Sequence, residues 1–338
     1  MQAFALHGGR LSQARAAFPL APQPWLDLST GISPWPYPAR FAGAGDRARL
    51  PDPEEIAALE AVAARAFGLP PACVLAVAGA EAGARLLAST LGAKRLGIVE
   101  PTYGGHRAAW EAFGAEVVSI RRDSLDEAAA ACDAVVLVNP NNPDGALTSP
   151  ERMIALAEQA AALDGWVIVD EAFGDASREL SVSNAMAQGW TAPRLVALRS
   201  FGKFYGLPGV RLGFVTAHPE VIAMLRLRLG DWPVSADAIA AGMDAYADEG
   251  WPVAARARLA EAAERLDILL LRARFEIVGG TTLFRLAAAE NTPDRFRRLA
   301  ERGVLTRPFA YNPRWLRFGL PAPAHWPRLE AALMETAP

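Results

Sequence analysis

Lysine is almost missing from this sequence of 338 residues, because only Lys94 and Lys203 among its 34 basic residues are lysines and the others are arginines. Cysteine is equally scarce, since Cys73 and Cys132 stand far apart and form no CxxC pair. This usage argues against a disulfide framework and against a cysteine zinc site, so we expect no metal. The sequence also has no basic run, no apolar run of membrane-spanning length and no leader-like start in MQAFALHGGR. We therefore expect no nucleic-acid partner, no membrane contact and a cytoplasmic location.

The composition allows a large hydrophobic core. Apolar residues make up 52% of the chain, charged residues 21%, and the net charge is −3, which suits one large domain or two unequal ones. After a helical segment at 52–67, short apolar runs alternate with segments of helical spacing. The apolar runs are 95–101, 116–120, 134–140, 166–172 and 194–200. This alternation predicts the α/β class, with a doubly wound and mainly parallel sheet.

The pattern divides the chain into three regions. Residues 1–45 are rich in glycine, proline and tryptophan, which predicts an extended arm with turns. Residues 46–230 contain the alternating runs and predict the large domain. A long helical segment over about 236–274, followed by short strands and helices, predicts a smaller α+β domain at 231–338. We expect the arm to contribute to the active site and to the small domain.

Chemistry-bearing residues follow the predicted strands, where open α/β sheets bind their ligands. The segment VNPNNPDG (138–145) contains Asn142, although such a segment alone is typical of a turn. In VIVDEAFGD (167–175), Asp170 directly follows a buried strand, where a carboxylate needs a cationic partner. A helix N-cap is the alternative for Asp170.

Lys203 lies in the third such segment, SFGKFYGLPGVRLGF (200–214). A lysine amine can lose its proton and attack a carbonyl, whereas a guanidinium stays protonated; the alternative is an ordinary surface lysine. Pyridoxal 5'-phosphate needs an amine, a carboxylate for its ring nitrogen, a donor for its ring oxygen and an anion cradle. Lys203, Asp170 and Asn142 match the first three needs, and Ser200 with Arg211 matches the fourth.

In combination these motifs resemble the aminotransferase class I and II superfamily of pyridoxal-phosphate enzymes, which have fold type I. The order Asn-Pro-x-Asn-Pro-x-Gly, Asp-Glu-Ala, Ser-x-x-Lys and Gly-x-Arg-x-Gly carries the resemblance, and it covers almost the whole chain. The resemblance implies that Tyr103 stacks on the cofactor ring and that the amides of Ala80 and Glu81 face its phosphate. It also implies that Arg317 holds the substrate α-carboxylate and that the protein is a homodimer.

Two positions depart from the superfamily pattern. Phe173 stands where a tyrosine often bonds the ring oxygen, so we expect Asn142 to be the main side-chain partner of that oxygen. Leu50 stands where the tyrosine of Tyr-Pro-Asp often reaches the cofactor phosphate of the partner subunit. The resemblance therefore implies the fold more strongly than it implies this contact between subunits.

Both ends of the chain resemble the branch of the superfamily that decarboxylates L-threonine O-3-phosphate to (R)-1-amino-2-propanol O-2-phosphate in cobalamin biosynthesis. That small-molecule substrate carries a carboxylate and a phosphate, so it requires several cationic donors. We expect Arg317, Arg307, His7 and Gly31 to bind it. An aminotransferase acting on a phosphorylated amine such as histidinol phosphate is the first alternative. A ligand-sensing domain with the aminotransferase fold is the second.

Overall fold

The computed structural model describes residue 4 and residues 7–186 and 193–337. Residues 1–3, 5 and 6 of the predicted arm lie outside this range. The strands are β1 (Leu26–Asp27), β2 (Val74–Val77), β3 (Arg95–Val99), β4 (Glu116–Ile120), β5 (Ala134–Val138), β6 (Trp166–Glu171), β7 (Leu195–Ser200), β8 (Gly213–Thr216), β9 (Glu276–Thr281), β10 (Phe284–Ala288), β11 (Val304–Leu305), β12 (Arg307–Pro308) and β13 (Trp315–Gly319). The α-helices are Leu11–Ala17, Ala44–Arg47, Pro53–Phe67, Ala80–Thr90, Gly105–Ala112, Leu125–Ala131, Pro150–Ala161, Val182–Met186, Phe201–Phe204, Pro219–Leu229, Ala236–Ala247, Gly250–Arg272, Thr292–Glu301 and Trp326–Thr336. None of the described helices is long and apolar enough to span a membrane.

The larger of two compact units comprises residues 37–142 and 147–251 and is built on a seven-stranded sheet. The strand order is β2-β8-β7-β6-β5-β3-β4. Strand β8 runs opposite to the other six strands, so it pairs antiparallel with β2 and β7, and all other pairs are parallel. Strand β5 is buried along its whole length, as expected when helices cover both faces of a parallel sheet. The mainly parallel sheet predicted from the sequence is confirmed, and all five predicted strands are present. Strands β2 and β8 were not predicted.

The smaller unit comprises residues 1–36, 143–146 and 252–338, of which the described part contains two sheets. An antiparallel sheet has the order β12-β13-β10-β9, and β1 pairs with β11 in a parallel ribbon. The short loop 143–146 belongs to this unit because its backbone touches β9. A methyl group on Gly145 would overlap the carbonyl oxygen of Gly280. The loop and β9 can therefore approach this closely only because residue 145 has no side chain.

The helical segment predicted over about 236–274 contains two helices. The first ends at Ala247 and the second begins at Gly250. The Asp248 carboxylate accepts the amide hydrogens of Gly250 and Trp251, both at 2.9 Å, and so begins the second helix. Pro252 has no amide hydrogen and fits only the first turn of a helix, which excludes a continuous helix through this point.

The unit boundaries also differ from the predicted domain boundaries at 45/46 and 230/231. Residues 37–45 and 231–251 belong to the larger unit, since they pack on its helices. The Tyr37 hydroxyl donates to the carbonyl oxygen of Asp244 at 3.1 Å. Gly242 lies so close to the helix Pro53–Phe67 that a methyl group there would stand 2.6 Å from Leu59 Cδ1. Residues 37–45 and 231–251 are therefore assigned to the larger unit by contacts between residues that are far apart in the sequence.

Candidate active site

Lys203 lies on a short helix that directly continues strand β7. Phe201 and Phe204 on either side of it are fully buried, and the Phe201 ring stacks on Tyr205 with 4.8 Å between ring centroids. This packing holds the backbone around Lys203, whose side chain is half-buried. Its Nζ lies 5.8 Å from the centre of the Phe173 ring, a distance at which a cation and an aromatic face attract each other.

Asp170 stands near the end of β6 and is held by two hydrogen bonds. Its Oδ2 lies 2.8 Å from His106 Nε2, and its Oδ1 accepts the amide hydrogen of Ala172 at 2.8 Å. Asp170 and His106 are 5% and 1% exposed, so water contributes little to their solvation. In the structure this carboxylate forms a hydrogen bond with His106, a residue that the sequence reasoning did not single out. The signal that could have found it is a histidine three residues after Tyr103.

The start of the helix Ala80–Thr90 forms a compact polar corner with Arg211 and Ser200. A methyl group on Gly79 would stand 2.7 Å from Arg211 Nη2, so the guanidinium lies directly against the residue before the helix. Gly213 is the register partner of Ser200, and a methyl group on it would stand 2.6 Å from the Ala80 nitrogen. The first amides of a helix lack intrahelical acceptors and favour anions. Glycines at 79 and 213 thus let the helix N-terminus approach the Arg211 guanidinium and the strand that pairs with Ser200.

Tyr103 borders this corner. Its hydroxyl donates to Glu81 Oε2 at 3.2 Å, and its ring covers Gly105, where a methyl group would overlap the ring. The hydrogen bond to Glu81 therefore orients the ring, and the absence of a side chain at Gly105 leaves room for the ring in this position. The structure places Tyr103 beside the helix that carries the predicted phosphate amides.

Asn141 joins the two loops that carry Tyr103 and Asn142. Its Nδ2 donates to the carbonyl oxygen of Pro101 at 3.0 Å, and its Oδ1 accepts the Thr102 hydroxyl at 2.6 Å. Both Asn141 and Asn142 are buried. Asn141 therefore fixes the loop that carries Asn142, the residue predicted to bind the cofactor. Sequence reasoning missed Asn141.

A buried ionic network lies on the opposite face of the same two strands. Glu171 is the register partner of Arg199, and side chains alternate along a strand, so Glu171 and Asp170 point to opposite faces. Arg199 Nη1 donates to Glu171 Oε2 at 2.9 Å and to Ser181 Oγ at 2.8 Å, and its Nη2 pairs with Asp175. Burial by itself would lower the pKa of Arg199, but the two carboxylates raise it. Breaking such a pair costs about 3–5 kcal/mol, so the network keeps β6 and β7 in register beneath Asp170 and Lys203.

Arg307 and Arg317 form a second cluster, in the smaller unit. They are register partners on β12 and β13 and are 7% and 3% exposed. Arg317 Nη2 donates to the carbonyl oxygen of Ser29 at 2.8 Å, and its guanidinium lies 5.0 Å from the centre of the Phe284 ring. Burial, followed by the positive charge of Arg307, lowers the pKa of Arg317 well below its usual range. An anion beside these two cations would relieve that repulsion.

His7 and Gly31, the other two predicted substrate residues, belong to the same unit as these arginines. His7 is exposed and Gly31 is buried. The segment before Gly31 runs along β13, because the Gly319 amide donates to the carbonyl oxygen of Leu28 at 2.6 Å. A methyl group on Gly319 would overlap the carbonyl oxygen of Thr30. The smaller unit therefore contains all four predicted substrate residues, and the larger unit contains all the predicted cofactor residues.

Comparison with known proteins identifies the relatives of this chain. Residues 37–329 match the family "Aminotransferase class I and II". The chain is 36% identical to the threonine-phosphate decarboxylase of Pseudomonas aeruginosa, over 97% of both chains. It is 38% identical to the threonine-phosphate decarboxylase of a Sinorhizobium species, over 95% of this chain and 94% of that one.

Solved structures share the fold at lower identity. Histidinol-phosphate aminotransferase from Sinorhizobium meliloti, in complex with pyridoxal-5'-phosphate, has a TM-score of 0.81 at 22% identity, covering 92% of this chain and 90% of that one. L-threonine-O-3-phosphate decarboxylase from Porphyromonas gingivalis has a TM-score of 0.76 at 21% identity, covering 91% and 98%.

The chain belongs to the aminotransferase class I and II family. The predicted cofactor, pyridoxal 5'-phosphate, follows from this membership, and the residues of the larger unit fit it. The polar corner at Ala80, Ser200 and Arg211 has the donors that a phosphate requires. Asp170 is a buried carboxylate of the kind that keeps a pyridine nitrogen protonated, and Lys203 supplies the amine.

We expect Gly79→Ala to weaken cofactor binding at least tenfold. Gly79 has φ +90° and the added methyl would push the Arg211 guanidinium away, whereas Gly92 has φ +68° and open space around it. Gly92→Ala is therefore the control, because it also places a side chain at positive φ, at a cost of about 1–2 kcal/mol, but meets no neighbouring atom. The measurements are cofactor affinity by titration of the apoprotein and the free energy of unfolding. Equal losses of cofactor affinity in both variants would contradict the role of this corner.

Proposed function

We propose that this protein decarboxylates L-threonine O-3-phosphate to (R)-1-amino-2-propanol O-2-phosphate, as a step of cobalamin biosynthesis. The observation that carries the proposal is the buried pair of arginines at 307 and 317, which suits a small substrate with two anionic groups. The similarity to two threonine-phosphate decarboxylases over nearly the whole chain supports the same substrate.

The chemistry of each predicted cofactor-binding residue suits a particular part of the cofactor. When bound, pyridoxal 5'-phosphate supplies a carbonyl carbon for amines and a protonated ring that takes up the electrons of a breaking bond. Lys203 Nζ would hold that carbonyl carbon, and Asp170, oriented by His106, would hold the proton on the ring nitrogen. Asn142 donates to the ring oxygen, and this matters more here because Phe173 carries no hydroxyl.

The remaining cofactor contacts bind and orient the group. The amides of Ala80 and Glu81, with Ser200 and Arg211, bind the cofactor phosphate. The Tyr103 ring, fixed by its hydrogen bond to Glu81, would stack on the cofactor ring. After CO2 leaves, Lys203 Nζ returns a proton to the substrate α-carbon, which an arginine at this position could not do.

Product analysis tests the reaction. We expect the purified protein with bound cofactor to release CO2 from L-threonine O-3-phosphate without any keto acid, and to form one equivalent of aminopropanol phosphate. Transamination of a phosphorylated amine is the second candidate, because histidinol-phosphate aminotransferase shares the fold. Turnover that requires a keto acid and leaves the carboxylate in place would favour that candidate and refute decarboxylation.

We assign the substrate phosphate to Arg307 with His7, the α-carboxylate to Arg317, and a backbone contact to Gly31. Removing a charged contact from a buried site costs about 2–5 kcal/mol, or roughly 30-fold to several thousand-fold in kcat/KM. We therefore expect Arg307→Ala to lose that much with phosphothreonine and to change the poor use of threonine little. Arg317→Ala should impair both substrates. The measurement is kcat/KM for both substrates with both variants.

Arg314→Ala is the control for this experiment. Arg314 lies three residues before Arg317 and is exposed, so its removal takes away one positive charge without opening the cluster. It should change kcat/KM less than threefold, because exposed charges are screened by water and salt. Equal damage by Arg307→Ala to threonine and phosphothreonine would refute the phosphate role and indicate a structural one.

We further propose a cytoplasmic homodimer. The larger unit exposes several large apolar side chains, among them Leu227, Leu50 and Trp232, which are 88%, 61% and 56% exposed. Such side chains are typical of protein interfaces when they form a patch. Light scattering that detects a fully active monomer would refute the dimer.

A further inference from the structure

A hydrogen bond joins the start of the N-terminal arm to Ser29, and two further hydrogen bonds hold Ser29 on Asp27. The Gly9 amide donates to Ser29 Oγ at 2.7 Å, and the Ser29 hydroxyl donates to Asp27 Oδ1 at 2.5 Å. Asp27 Oδ1 also accepts the Ser29 amide hydrogen at 2.9 Å. Because the hydroxyl hydrogen is directed to Asp27, a lone pair of Oγ is available to Gly9. Ser29 is 2% exposed, so water does not compete for these bonds.

Gly8 reinforces the same attachment. It lies so close to the carbonyl of Ser29 that a methyl group would overlap the carbonyl oxygen. On the other side of His7, Phe4 is buried and its ring centroid lies 5.5 Å from that of Phe296. The arm is therefore anchored before and after His7, while His7 itself is exposed.

Ser29 also contacts the arginine cluster, through a different atom. Its carbonyl oxygen accepts from Arg317 Nη2 at 2.8 Å. One buried residue thus contacts the arm through its hydroxyl and Arg317 through its backbone. A substitution of the side chain can release the first contact and keep the second.

We propose that Ser29 is a positioning residue that fixes His7 relative to Arg317, so that the phosphate and carboxylate of the substrate meet groups held at a set separation. This inference rests on the proposed function. The physical reason is preorganisation: an arm that is already ordered loses little freedom when substrate binds. Without the hydroxyl, the Gly9 amide loses its acceptor and the arm must be ordered at the time of binding.

The test compares Ser29→Ala with Ser33→Ala. Ser33 is a matched control, since it is also buried in the arm and its hydroxyl donates to the carbonyl oxygen of Trp35, two residues away. Both variants lose one buried hydroxyl, but only Ser29→Ala releases Gly9. We expect amide hydrogen exchange in residues 7–10 to become about tenfold faster in Ser29→Ala, an effect equal to one lost hydrogen bond of typical strength. Ser33→Ala should leave this exchange unchanged.

Kinetics with the holoenzyme provide the second measurement. In Ser29→Ala, KM for phosphothreonine should rise about tenfold while kcat changes less than threefold, and the use of threonine should stay nearly the same. Unchanged exchange in residues 7–10, or an equal rise in KM in both serine variants, would overturn the positioning role. Wild-type protein that is inactive on phosphothreonine would overturn the proposed function alone, because hydrogen exchange is measured without substrate.

Discussion

Lys203→Arg is expected to lower kcat/KM for phosphothreonine by at least about 10⁴-fold, equivalent to about 5.5 kcal/mol of barrier. Arginine keeps the positive charge beside the Phe173 ring, where Lys203 Nζ now lies at 5.8 Å. It cannot lose a proton under ordinary conditions, so it can neither attack a carbonyl nor return a proton to the substrate. The variant therefore tests whether activity requires an amine at position 203 or only a positive charge. The measurements are steady-state kinetics and the visible absorption of the bound cofactor.

Lys94→Arg is the matched control, because Lys94 is the other lysine of the chain and is exposed. Its described hydrogen bond is made by the backbone amide to Asp133 Oδ2 at 2.8 Å, which arginine preserves. We expect wild-type kinetics from this variant. A Lys203→Arg protein within tenfold of the wild type would refute the assignment of the amine.

Asp170→Asn is expected to reduce kcat by about 10³-fold, or about 4 kcal/mol, while cofactor binding is largely retained. An asparagine fits the same space and can still accept the Ala172 amide hydrogen, now 2.8 Å from Asp170 Oδ1. It carries no charge to keep the ring nitrogen protonated, so the ring would take up electrons less readily. The readout is kcat together with cofactor affinity, which distinguishes this variant from Gly79→Ala. Turnover close to that of the wild type would contradict the role of Asp170.

The fold was predictable where long hydrophobic patterns dominate. Strands β3 to β7 are apolar runs between helical segments, and this alternation defines a parallel sheet. Strand β2 has only four residues between two helices, and such a short apolar run does not reveal its class by periodicity. Strand β8 follows the Lys203 loop immediately and runs antiparallel, which the βαβ pattern does not anticipate.

The site residues that lie in sequence motifs could be predicted from their chemistry. Lys203 and Asp170 follow from the needs of one cofactor, but their neighbours depend on three-dimensional pairing. His106 meets Asp170 across 64 residues, and Arg317 meets Ser29 across 288. No local pattern encodes such pairs, because they arise from strand register and loop packing. Ser29 carries no motif of its own, so only the structure reveals its contact with the arm.

The central claim is that this chain, which has two lysines, uses Lys203 to hold pyridoxal 5'-phosphate. Borohydride reduction of the purified holoenzyme fixes the cofactor to whichever amine holds it, and peptide mass mapping then locates the added mass. We predict one modified peptide, containing Lys203, and an unmodified peptide containing Lys94. Cofactor mass on Lys94, or on neither lysine, would contradict the account.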